Sequence, residues 1–183
     1  MPSRRQRVNL LDPQAEGTAL ANQGSAVYCV DTSALVNMAR RYSPMGSPAF
    51  QPLWTRVAQA ISQGRLQAPE EVRREIEAGQ DELVDWIGHH GQLFVPTTPQ
   101  LVEMTANLVH KHRELAGLGK TRVHADPWVV ALAIIRTDLI QKGVVVADES
   151  PRRPTAMPSV CQAEGIDCLT HVLWFEREGW AFG

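Results

Sequence analysis

The segment Val144-Val145-Val146-Ala147 is almost entirely β-branched, and such a run belongs in a strand buried on both faces. Ala26-Val27-Tyr28-Cys29-Val30 has the same character. It ends in Asp31-Thr32-Ser33, three helix-capping residues ahead of a helical run over 34–39. Shorter strand-like runs stand at 65–68, 92–95 and 166–169. Between them the period changes. Leu53, Trp54, Val57, Ala58 and Ile61 recur at helical spacing until Gly64, and Pro69 opens an acidic helix from Glu70 onward. Leu101, Met104, Leu108 and Leu115 mark a helix over 99–116. Asp126-Pro127 opens a very apolar helix over 128–140, ended by Gly143, and helices near Val160 and up to Trp180 complete the chain. Strands separated by helices imply βαβ units, hence a three-layer α/β/α sandwich around a mainly parallel sheet.

The chain has 183 residues, of which 44% are hydrophobic and 21% charged, which suits one folded domain and excludes a disordered or low-complexity polymer. Residues 1–25 lack any hydrophobic period and read as a flexible tail, leaving 26–183 as the domain. The longest apolar run, from Val129 to Ile135, falls far short of the ~20 residues that span a bilayer, so no membrane association is expected. Val8 to Leu11 is too short for a signal-peptide core. Cys29, Cys161 and Cys168 have no metal-ligand spacing, and their odd number suits a reducing, cytoplasmic setting.

An open α/β sheet binds ligands beyond the carboxyl ends of its strands, which directs attention to the acids found there. Asp31 follows the first strand, Asp148 and Glu149 follow the Val144–Ala147 strand, and Asp126 opens the helix leading into it. Carboxylates gathered at one edge stay ionised only when a cation neutralises them, and oxygen-only ligation suits Mg²⁺ or Mn²⁺. On a helical wheel with Val72 at zero, Ile76 falls at about +40° and Leu83 at about +20°. Glu75 falls at about −60°, at the margin of the buried face, while Glu71 lies near −100° and Glu82 near −80°. Glu75 is thus the acid of this helix best placed to lean into a cleft. Plainer roles stand beside these: Asp31 and Asp126 as helix caps, Asp148 and Glu149 as loop acids, and Glu75 as a solvated helix acid.

The segments Val27-Tyr28-Cys29-Val30-Asp31-Thr32-Ser33, Glu70-Glu71-Val72 through Glu75-Ile76, Ala125-Asp126-Pro127-Trp128 and Val144 through Glu149 together resemble PIN-domain nucleases. In order and spacing they are similar to an uncharacterised bacterial PIN-like family related in plan to VapC-type toxins. The resemblance spans about residues 26–183, and each motif is weak alone. It implies a metal-dependent endoribonuclease, the toxin of a toxin–antitoxin pair, with Asp31, Glu75 and Asp126 as the first three acids and one or two Mg²⁺ or Mn²⁺ ions. The fourth acid is Glu149 or its neighbour Asp148, with Glu149 preferred. The hydroxyl residue usual at that strand end is replaced by Ala147. Thr32 or Ser33 would bring a hydroxyl near the metal or the scissile phosphate. The partners implied are an RNA substrate, a small antitoxin protein and a second copy of the chain.

A net charge of −2 gives no global attraction to nucleic acid, but it hides segregation. From Lys111 to His124 the balance is +3, and from Glu70 to Asp85 it is −5. Lys120, Arg122 and His124 precede Asp126 closely and are candidates to hold substrate phosphates, with Arg152 and Arg153 similarly placed after Glu149. His89, His90, His110 and His171 read as surface or capping groups. Three other functions stay open: a haloacid-dehalogenase-type phosphatase, a non-catalytic RNA- or protein-binding module of PIN shape, and a DNA-directed nuclease. The phosphatase chemistry wants a second Asp two positions after Asp31, where this chain has Ser33.

Overall fold

The computed structural model describes residues 26–79, 81–113, 124–138, 142–149 and 157–180. Residues 1–25, Lys120, Arg122, Arg152 and Arg153 lie outside them. The chain runs β1 (Val27–Val30), α1 (Thr32–Arg41), α2 (Gln51–Ser62), β2 (Leu66–Pro69), α3 (Glu70–Glu77), α4 (Glu82–His89) and β3 (Phe94–Val95). It continues with α5 (Pro99–Lys111), α6 (Asp126–Asp138), β4 (Gly143–Val146), α7 (Met157–Ala163), β5 (Asp167–Leu169) and α8 (His171–Arg177).

The five strands pair in parallel in the order β3-β2-β1-β4-β5. The chain moves outward from β1 to β3, then returns to place β4 on the other side of β1. Right-handed crossovers therefore put the helices before β3 on one face and α5, α6 and α7 on the other, a three-layer α/β/α sandwich. Every residue of β1 and β4 is buried. α6 is apolar on nearly all sides because it lies against the sheet and α5. Val129, Val130, Ala131, Leu132 and Ala133 are each at most 2% exposed.

The acidic stretch is two helices, not the single one its periodicity suggests. α3 stops at Glu77, and Asp81 caps α4 by accepting from the Leu83 N–H at 3.1 Å. Gly143 begins β4 instead of ending the preceding helix. Its amide donates to Thr137 Oγ1 at 3.1 Å, and a Cβ built on it would lie 2.0 Å from the Ala133 carbonyl oxygen. That carbonyl is fixed in the backbone of α6, so Gly143→Ala is expected to cost about 3 kcal/mol, read as a lower urea midpoint with an unchanged slope.

Candidate active site

In the order β3-β2-β1-β4-β5, β1 and β4 are the neighbours from which the chain departs in opposite directions, and the crevice beyond their carboxyl ends is the natural ligand site. Asp31 follows β1 there. It caps α1 through Oδ2, which accepts the Ser33 N–H at 2.9 Å, and it is only 3% exposed. Its other oxygen, Oδ1, is buried without a hydrogen-bond partner. Capping therefore occupies one oxygen of this side chain and leaves the other uncommitted.

Asp126 is the first residue of α6, and the Ala125 carbonyl accepts the first helical bonds, from Trp128 at 2.9 Å and Val129 at 3.1 Å. The capping position thus belongs to Ala125. Glu75, half-buried on α3, joins the two regions: Oε2 accepts from the Thr32 hydroxyl at 2.5 Å and Oε1 from the Ala125 N–H at 3.0 Å. One carboxylate thereby fastens the residue after Asp31 to the residue before Asp126. Glu149, beyond β4, accepts the Met157 N–H at 3.0 Å.

These four acids feel one another. Burial, then the charges of Asp31, Glu149 and Glu75, push the Asp126 carboxyl up to about 7. Burial likewise raises Asp31, with Glu149 and Glu75 adding to it and the hydrogen bonds from Ser33 opposing. Asp148 points elsewhere. Its carboxylate accepts from the His171 N–H at 2.9 Å, from Asn37 at 3.2 Å and from His171 Nδ1. Burial raises it, but those donors outweigh burial and hold it below the usual carboxylate range.

The hydroxyls of Thr32 and Ser33 are engaged within the fold: Thr32 donates to Glu75, and Ser33 Oγ accepts the Asp148 N–H at 3.0 Å. His124 is half-buried, with Nε2 enclosed and without a partner, unlike an exposed phosphate clamp. Lys111 and His112, at the start of the basic stretch, are committed to Glu164 at 2.8 and 2.5 Å.

The family model of a domain of unknown function, DUF4411, matches residues 28–182. The chain belongs to the DUF4411 family. No curated protein matches it. The matched span of this DUF4411 domain contains all four acids as well as Asp148 and His171.

An all-oxygen donor set and the unpartnered Oδ1 of Asp31 suit a hard divalent cation. Among the described residues, no three His, Cys, Asp or Glu side chains already stand together so as to hold an ion, partly because Glu75 is turned onto Thr32 and Ala125. Two residues fall outside the sequence expectation. Glu71, placed off the buried face by the wheel, is only 7% exposed with Oε2 unpartnered. It sits in the first turn, directly at the end of β2, where side chains lean back toward the sheet edge.

His171, read as a surface group, is 5% exposed, enclosed by Tyr42 and Phe175 and bonded to Asp148. No sequence signal marks it, because its partner lies 23 residues away. His171→Ala would leave a buried carboxylate short of its main donor. It is expected to cost about 3 kcal/mol in urea unfolding, and much less on an Asp148→Asn background.

Proposed function

We propose that this DUF4411 domain is a Mg²⁺- or Mn²⁺-dependent endoribonuclease of the PIN type that hydrolyses RNA phosphodiester bonds at the β1/β4 crevice. One observation carries the reading: burial, with the charges of Asp31, Glu149 and Glu75 brought in from separate elements beside the switch point of the sheet, raises Asp126 to about 7. A fold keeps such a cluster at a cost to itself, and a bound cation removes that cost.

Asp31, Asp126 and Glu149 would hold the cation, and its arrival would draw their carboxylates together from the rotamers seen. Glu75 keeps the two aspartates in register through Thr32 and Ala125, so it acts chiefly by positioning. A divalent ion there supplies an acidified water and offsets charge on the phosphoryl oxygens. Hydrolysis would leave a 5′-phosphate and a 3′-hydroxyl. A small antitoxin and a second copy of the chain are the protein partners that go with this reading. Among the described residues no helix is long and apolar enough to cross a membrane.

Incubating total RNA with the purified chain in Mn²⁺ or in EDTA and mapping the ends tests the proposal. Cleavage is expected in Mn²⁺ alone, leaving 5′-phosphates. Equal cleavage in EDTA, or by an Asp31→Asn variant, defeats it.

A further inference from the structure

The three cysteines, far apart in sequence, converge in the fold. Register pairs Cys29 with Val145 and Val145 with Cys168, so the three residues form one row across β1, β4 and β5 with side chains on the same face. That is the face covered by α7, because Tyr28, the neighbour of Cys29, turns to the opposite face and meets Trp174 of α8. α7 brings Cys161 down onto this row. The turn after α7, with Gly165 at φ +70°, folds back so tightly that the Ile166 N–H donates to the Cys161 carbonyl at 2.8 Å. β5 then returns directly beneath the helix, so α7 packs on β5 and the Cys161 and Cys168 side chains are close neighbours.

Their surroundings differ. Cys29 and Cys161 are fully buried, whereas Cys168 is half-buried on an edge strand. Cys168 lines an open cavity of about 400 Å³ together with Pro158, Gln162, Gly165 and Asp167. We infer that Cys161 and Cys168 form an oxidisable thiol pair, with Cys168 the peroxide-accessible member and Cys161 the resolving one. This reading does not depend on the acidic site.

The co-reactant is hydrogen peroxide, small enough to enter the cavity. The Cys168 sulfur, as its thiolate, attacks one peroxide oxygen. The O–O bond breaks, the departing hydroxide takes a proton to become water, and the sulfur is oxidised by two electrons to a sulfenic acid. The Cys161 sulfur then attacks the Cys168 sulfur, the S–O bond breaks, and the hydroxyl leaves with the Cys161 proton as a second water. The balance is two thiols and one peroxide giving one disulfide and two waters. Cys29 stays out of the exchange. Burial pushes its thiol up to about 12, and it does not line the cavity at Cys168.

The test treats the full-length chain with hydrogen peroxide, quenches with acid and counts free thiols in denaturant. The count is expected to fall from three to one, with loss of two hydrogens in intact mass. Peptide mapping should show a 161–168 disulfide and a free Cys29, and dithiothreitol should restore all three thiols. Cys168→Ser should lose its remaining thiols at least about tenfold more slowly. Cys161→Ser should accumulate a Cys168 sulfenic acid that dimedone traps. Retention of three thiols, a sulfinic acid at Cys168 beside a reduced Cys161, a disulfide through Cys29, or an intermolecular link through Cys168 would each overturn the inference. Should Cys161→Ser fail to fold, Cys168→Ser decides, since its half-exposed site tolerates the smaller change.

Discussion

Asp126→Asn is expected to lower metal-dependent RNA cleavage by about 10³-fold and, in the same protein, to raise the stability of the metal-free fold. The two effects have one origin. Asp126 stands among Asp31, Glu149 and Glu75, and burial with those charges lifts its carboxyl to about 7. Above that pH its negative charge opposes folding by up to about 4 kcal/mol, the equivalent of its displacement from an ordinary aspartate. Asparagine keeps the shape and removes the charge, so the metal-free variant should unfold at higher urea at pH 8. At pH 4, where the parent carboxyl is protonated, it should gain little. The same lost charge removes a ligand for the cation, and several kcal/mol of transition-state stabilisation correspond to the expected rate loss. A variant that loses activity and also loses stability at pH 8 would mean that Asp126 is an ordinary structural residue. A variant that is stabilised yet cuts RNA at the parent rate would detach the cluster from catalysis.

The positions of Asp31, Asp126 and Glu149 were legible because a parallel sheet gathers everything after its strands at one edge, whatever the strand order. Which two strands flank the crevice was not legible. That β4 returns beside β1 depends on pairing across more than 110 residues, as in Val27 with Gly143, and nothing local specifies it. The periodicity from Val72 to Trp86 gave correct buried positions at Ile76 and Leu83 but concealed the break between α3 and α4, which Asp81 enforces by capping. Thr32, Ser33 and Asp148 do stand at the expected strand ends, but their hydrogen-bond partners are distant in sequence: Glu75 for Thr32, the Asp148 amide for Ser33, and His171 with Asn37 for Asp148. Polar residues near a site compete for the same donors and acceptors, and only the fold decides which of them are already satisfied.

The metal-free protein is expected to lose stability as pH rises from about 4 to 7, contrary to the usual behaviour of carboxylates. Asp31 and Asp126 both have raised values in the folded state, Asp126 at about 7, against about 3.9 in the unfolded chain. Between those limits the native state binds more protons than the unfolded state. The pH derivative of the unfolding free energy is therefore negative, about 1.4 kcal/mol per pH unit for each proton retained. Asp148, Glu164 and Asp167 have the opposite sign. Their values are held low by His171, by Lys111 with His112, and by Lys142 with Arg177, after allowance for burial, so their stabilisation is present above about pH 4 and fades below it. The two groups together place a stability maximum in acid, near the ordinary carboxylate range. Mn²⁺ substitutes for the protons on the cluster, so it should remove the decline. Its apparent affinity should tighten as pH rises between about 5 and 7, by about tenfold per pH unit for each proton displaced. Urea unfolding from pH 4 to 8, in EDTA and in Mn²⁺, measures both. A metal-free stability that climbs from pH 5 to 7 would show that the four acids do not share a desolvated site. A Mn²⁺ stabilisation independent of pH would show that the ion binds outside it.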